Sequence, residues 1–325
     1  MIRLRLSTAL HLGIPVWPLF AVALLCPGAS SMAAELAVKE HDGGVRVEID
    51  GNLFTDYLTA TAPKPILWPV IGPTGVEMTR AYPMADVAGE KKDHIHQRSL
   101  WFTHGDVNGV DFWSENPPHG SIVHRGYLEV SAADGKAVIR TRNDWLGPDG
   151  KQHCQDERTL TFRGDGDMRT IDFDIVLIAS DGPVTFGDTK EGTMGIRLPT
   201  VMDVDSRLGG RIVTSEGLTD KEAWGKPAAW VDYHGPVAGQ VVGVAIFNHP
   251  SSFRYPTTWH VREYGLFAAN PFGLHDFTGS ADVKGAHTIA AGESIYLRYR
   301  FLFHKGDATA ANLAEAFKEY AAEDR

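Results

Sequence analysis

The feature that most limits what this chain can fold into is a recurring short alternation of apolar and polar residues, broken every ten or so positions by glycine-rich turns. Leu36-Ala-Val-Lys-Glu-His41, then Asp42-Gly-Gly44, then Val45-Arg-Val-Glu-Ile49 reads as a β-hairpin. The same period of two returns over 126–130, 137–141, 159–162, 169–178, 241–247 and 295–303, with turn clusters at 132–135 and 164–167. A period of two places successive side chains on opposite faces of a sheet, which suits strands buried on one side. The pattern predicts an all-β chain, a large antiparallel β-sandwich. One helix is expected at the C-terminus, where Leu313, Phe317 and Tyr320 recur at i, i+4 and i+7 behind Asp307 or Thr309 as cap. Its apolar stripe is expected to pack on the sandwich edge.

The first 33 residues read differently. Arg3 and Arg5 precede an apolar run that ends at Cys26, and Ser31-Met32-Ala33 offers a small-x-small cleavage site. These are the parts of an export signal. The run is interrupted by Pro15 and Pro18 and is short for a membrane span of about 20 residues. The expected organisation is a signal over 1–33 and a single β-sandwich domain over 34–325, exported to the periplasm or the exterior. Leu25 before Cys26 argues against a lipid anchor, which wants a small residue there. Removal of the signal leaves Cys154 alone, so no internal disulfide can form despite an oxidising destination.

With 31 basic against 41 acidic residues the chain is formally −10. That balance gives no electrostatic case for nucleic acid or an anionic membrane surface. The sequence also holds no phosphate-cradling glycine loop, no Gly-x-Ser-x-Gly, no His-Glu-x-x-His and no Cys-x-x-Cys.

Chemistry concentrates in four polar–aromatic blocks. The first runs from Asp93-His-Ile-His-Gln-Arg98 through Trp101 and His104 to Asp111-Phe-Trp113. If Asp93–Arg98 is extended, His94, His96 and Arg98 share one face. The second is His153-Cys-Gln-Asp-Glu-Arg158, the third Phe186-Gly-Asp188-Thr-Lys190-Glu191-Gly192 with Arg197 beyond it. The fourth runs from Asn248-His-Pro250 to Trp259-His260-Val-Arg262-Glu-Tyr264, followed by Asn270. Extended geometry there gathers His260, Arg262 and Tyr264 and puts Trp259 on the reverse side. Taken singly, each His also reads as a hydrogen-bonded structural residue and each Trp as packing. Asp156 and Glu157 likewise read as partners of Arg158 or of nearby lysines. It is the repeated conjunction of His, Arg, acid and Trp that points to a cleft for an anionic or polyhydroxylated ligand.

Two chemistries use such a set. In one, His96 and His260 act as general acid and base with Glu191 as carboxylate partner. His94, Arg98, His104, Asp188, Arg197, Arg262 and Asn270 then hold the ligand while Trp101 or Trp259 stacks on a sugar ring. In the other, a divalent metal sits on His94, His96, His104 or His260. A carbohydrate-binding module without turnover is the non-enzymatic alternative.

The stretches Asp93–Phe102, His104–Trp113, Lys190–Arg197, Asn248–Pro250, Trp259–Gly265 and Asn270–Gly273 resemble a bacterial family of exported proteins called PmoA-like, or "methane oxygenase PmoA". A methane monooxygenase subunit would need several apolar spans, and no stretch after residue 33 supplies one. The resemblance implies instead a large sandwich similar to the galactose-mutarotase-like supersandwich. It also implies glycoside or sugar-acid processing, including oxidised 3-keto sugars.

Overall fold

The computed structural model describes residues 1, 2, 4 and 34–324, so most of the expected export signal, with Cys26, lies outside the described residues. In chain order the strands are β1 (Leu36–His41), β2 (Gly44–Ile49), β3 (Asn52–Leu58), β4 (Ile66–Val70), β5 (Leu100–His104) and β6 (Ser121–Ala133). Next come β7 (Lys136–Leu146), β8 (Gln152–Gly164), β9 (Met168–Ile178), β10 (Val184–Phe186), β11 (Gly192–Arg197) and β12 (Arg211–Thr214). The last are β13 (Trp230–Val237), β14 (Gln240–Asn248), β15 (Trp259–Val261), β16 (Leu266–Ala269), β17 (His287–Ile289) and β18 (Ser294–Lys305). Two short helices join them, α1 (Leu274–Thr278) and α2 (Leu313–Ala321).

The strands build two antiparallel sheets of eight, the expected β-sandwich. The first has the order β1-β2-β3-β4-β5-β11-β16-β15 and the second β12-β13-β14-β18-β9-β8-β7-β6, with β10 and β17 as a separate pair. The hairpin over 36–49 forms in the register its Asp42-Gly43 turn dictates, His41 facing Gly44. In β7 the alternation is visible residue by residue: Ala137, Ile139 and Thr141 are buried while Lys136, Arg140 and Arg142 are exposed. The inner faces interlock into one apolar core, with Phe54, Phe102, Ile196 and Trp259 from the first sheet against Phe162, Phe173, Ile246 and Phe301 from the second. Every predicted strand over 126–303 lies inside a longer observed one.

The C-terminal helix differs in two details. It lies on the outer face of the second sheet, not at its edge, where Leu313 and Tyr320 pack with Ala245 and Phe247 of β14 and Leu302 of β18. Asp307 caps the turn before it, accepting the Thr309 and Ala310 N–H groups, and Asn312 in the left-handed conformation begins α2. Among the described residues no helix is long and apolar enough to cross a membrane.

The outer face of the first sheet is the one that matters for function. Pairing in register sets Ile66 (β4), Trp101 (β5), Gly195 (β11), Ala268 (β16) and His260 (β15) in one row across five strands. Their chain neighbours Phe102, Ile196, Phe267, Val261 and Trp259 point the other way into the core. The Trp101 indole lies over Gly195, where a Cβ would stand 2.9 Å from the ring.

Candidate functional site

Above that row opens a cavity of about 450 Å3, within the range of small-molecule sites. Its lining comes from three chain segments that the sheet brings together: 94–114, 190–191 and 260–264.

The first segment is not the predicted strand. Residues 91–98 form a loop with His94 at φ 44°. Two buried arginines hold it. Arg80 donates to the Asp93 carboxylate at 2.6 Å and to the carbonyls of Lys91, His94 and Gln97. Arg197, reaching from β11, donates to the same Asp93 oxygen at 2.9 Å and to the Gln97 side-chain oxygen. Burial alone would raise the Asp93 pKa, but Arg197, His94 and Arg80 together hold it below the ordinary value. The loop delivers His94 and His96 to the cavity with ring centroids 5.7 Å apart. Burial, then the charge of Lys64, pushes the His96 imidazole down to about 4.

Trp113 forms the wall beyond His96, 6.1 Å from it and tilted against Trp101 at 5.4 Å. Its place is set by Asp111, which accepts the backbone N–H groups of Trp113 and Ser114 and the Ser114 hydroxyl. Opposite stands Tyr264. His94 stacks on its ring at 5.2 Å with the planes 6° apart, and the Arg197 guanidinium lies 4.8 Å from its centroid.

The second segment is a turn bearing an ion pair at the rim, Lys190 Nζ to Glu191 Oε1 at 2.5 Å. The hydrogen bond to Glu191 raises the Lys190 pKa, so the ammonium persists at neutral pH. Asn270 anchors this turn from behind, donating to the carbonyls of Thr189 and Lys190 and accepting the Phe272 and Gly273 N–H groups. The third segment supplies His260 from β15 and Arg262 and Tyr264 from the turn that follows. His260 is 2 % exposed and its Nδ1 has no hydrogen-bond partner. Burial, then the charges of Arg262 and Lys190, depresses it to about 3. The His96 and His260 imidazoles are therefore neutral at pH 7.

Residues 44–318 match the sequence pattern of DUF6807. The chain belongs to this family of unknown function. Solved structures that resemble this DUF6807 member include an alpha-galactosidase from Lactobacillus brevis, 10% identical with a TM-score of 0.43. That match covers 91% of this chain and 44% of the galactosidase, less than half its length. A galactose mutarotase related enzyme from Lactobacillus acidophilus is 13% identical with a TM-score of 0.28, over 83% of this chain and 97% of that one. Among curated proteins none matches the sequence. The PmoA-like label rests on sequence resemblance alone.

Of the residues singled out in the DUF6807 chain, the fold brings His94, His96, Glu191, His260 and Arg262 to one cavity. The others stand behind or beside it. Trp101 and Trp259 are fully buried, the first as floor beneath Trp113 and the second in the core with its indole N–H on the Ala228 carbonyl. Arg197 and Asn270 position loops, as described. Arg98 is taken up by Glu115 in a two-point ion pair at 2.8 and 2.6 Å, which Lys64 also joins. Asp188 ties two loops through the His275 and Gly285 N–H groups. His104 is fully buried on the Gly187 carbonyl between Phe186 and Phe272, away from the other three imidazoles. Of the candidate metal ligands His104 thus stands apart, and although the other three line one cavity, among the described residues no three His, Cys, Asp or Glu side chains form a metal-ligating group.

The second block belongs elsewhere. Asp156 and Arg158 form a fully buried pair in β8, Glu157 meets Arg142 at the surface, and burial raises the Cys154 thiol far above its ordinary value. Gln97, Gly105, Asp111, Trp113, Ser114, Lys190 and Tyr264 complete the cavity lining and were not expected as ligands. Each stands within or directly beside the same polar–aromatic blocks, but which members of a block face outward depends on turns that periodicity does not describe.

Proposed function

We propose that the cavity binds a carbohydrate and acts on it by general acid–base chemistry, in a protein exported by its first 33 residues and working as a single sandwich domain over 34–325. The observation that carries this reading is the conjunction of two neutral imidazoles, two cations and two aromatic side chains around one space. The half-buried Tyr264 offers apolar surface for the C–H face of a sugar ring, bordered by the edge of the nearly buried Trp113. Gln97, Ser114 and Glu191 offer the mixed donors and acceptors that hydroxyls need.

Neutral imidazole is the form that can take a proton. On a ketone-bearing glycoside, His96 removes a proton from the carbon beside the carbonyl and the electron pair moves to the ketone oxygen. Lys190 supplies positive charge for that oxygen. The pair then returns to form a carbon–carbon double bond and expels the glycosidic oxygen, which takes the proton back from the His96 imidazolium. No redox partner is required. Glu191 keeps Lys190 charged and in place throughout.

The test is incubation of residues 34–325 with a panel of glycosides, native and 3-oxidised, with and without divalent metal, read by mass spectrometry. The expected result is cleavage of an oxidised glycoside, falling about 100-fold or more in His96→Ala. Ligand-induced melting shifts without turnover would make the protein a binding module. Full turnover in both His96→Ala and Glu191→Ala would remove the residue assignments.

A further inference from the structure

Arg262 is the cavity's uncommitted cation. The other arginines around it are spoken for: Arg80 and Arg197 by Asp93, Arg98 by Glu115. Lys190 has Glu191. Among the described residues the Arg262 guanidinium meets no carboxylate and no hydrogen-bond acceptor, only the rings of Trp224 at 5.9 Å and Tyr264 at 5.6 Å. In a chain with ten more acids than bases, a half-buried arginine without an acidic neighbour is unusual. The two rings restrict where the guanidinium can go, and its five N–H groups form a planar fork that suits two coplanar oxygens. Lys190, also positive, lies close enough for Arg262 to exert a lowering influence on it, so the two cations work against each other. An anion placed on Arg262 relieves that repulsion.

Resting on the carbohydrate reading above, we infer that the ligand carries a carboxylate bound two-point by Arg262, so that acidic sugars of the uronic or aldonic class are preferred to neutral ones. A carboxylate suits the site better than a phosphate, because one guanidinium fork matches one pair of oxygens. Neutral sugars would leave the guanidinium desolvated and unpaired, which is a penalty against them.

Calorimetric titration tests this with glucuronate, galacturonate, gluconate, glucose, galactose, glucose 6-phosphate and glutarate, on the native chain and on Arg262→Gln and Arg262→Lys, each first checked for an unchanged melting transition. The native protein is expected to bind at least one uronate about tenfold or more tighter than its neutral counterpart, a gap that shrinks with added salt. Arg262→Gln is expected to abolish the gap and Arg262→Lys to retain part of it. Equal binding of acidic and neutral sugars overturns the inference and leaves the carbohydrate reading standing. A preference that survives in Arg262→Gln overturns it as well, as does tighter binding of the sugar phosphate. If no sugar binds but glutarate binds through Arg262, the carbohydrate reading fails and the carboxylate anchor stands. If neither binds, both fail.

Discussion

Asp93 and Arg197 meet at 2.9 Å across 104 residues of sequence, and that contact ties the His94–His96 loop to strand β11. Arg80 completes the clamp, donating to the same Asp93 oxygen at 2.6 Å. The loop carries neither helix nor ladder hydrogen bonds of its own, so its shape is set by these two guanidinium groups.

Removing one of them should therefore damage both fold and site. Arg197→Ala strips Asp93 and Gln97 of a buried donor, and because Asp93 is 40% exposed and keeps Arg80 the cost should be about 1–3 kcal/mol. Chemical denaturation should show that loss, together with weakened ligand binding. Asp93→Asn should cost less, because the Asp93 side chain is 40% exposed. Equal stability of Arg197→Ala and the native chain would contradict the clamp.

Acid should unfold the protein through its imidazoles. His96 and His104 are depressed to about 4 and His260 to about 3, against about 6.5 in the unfolded chain. Between those limits the unfolded chain binds more protons, so stability rises with pH. It is fully present above about pH 6.5 and is lost as pH falls towards 4 and then 3. Each imidazole forfeits roughly 1.4 kcal/mol per pH unit in that window. Asp93 and Glu115, both held below their ordinary values by bound cations, add to the loss at the acid end. Urea midpoints measured from pH 7.5 to 4.5 should fall steadily below 6.5, and a flat profile would show that the imidazoles are not buried as described.

Gly195→Ala probes the floor. The new Cβ would lie 2.9 Å from the Trp101 indole, which is itself wedged under Trp113. Overpacking of this kind costs about 1–3 kcal/mol. A shifted tryptophan fluorescence maximum should accompany the lower melting temperature.

Glu191→Gln should separate chemistry from stability. The Lys190–Glu191 pair is 41% and 36% exposed, so its loss should change stability by less than about 1 kcal/mol. Turnover of a productive glycoside should nonetheless drop about tenfold or more, since Lys190 loses the partner that holds it. Unchanged turnover would place the pair outside the reaction.

The sandwich was readable because strands that bury one face write that fact as a period of two, as Ala137, Ile139 and Thr141 do in β7. The site was readable in part for the same reason. His260 and Trp259 are strand neighbours and point to opposite faces, which spacing alone foretells. The extended reading of Asp93–Arg98 failed because Arg80 and Arg197, distant in sequence, impose a loop that no local pattern records. Trp101, Arg197, Asn270 and Asp188 looked like ligands since their residue types are those that touch sugars. Their actual partners lie up to 104 residues away, so composition cannot tell a group that holds a ligand from one that holds a loop. Tyr264 escaped selection although it stood in the same triplet, its role being set by the turn after β15.

The row from Trp101 to His260 also sets a scale. Neighbouring strands lie about 4.8 Å apart, so three steps separate these two Cα atoms by roughly 14 Å. Of the two residues between them, Gly195 is roofed by the indole and Ala268 is buried in the same apolar cluster as Trp101 and Trp113. Breadth across the sheet is thus metered by backbone hydrogen bonding and cannot be retuned by a rotamer. A larger side chain at the buried Ala268 therefore presses on the aromatic floor and reaches the opening only by displacing Trp101 or Trp113.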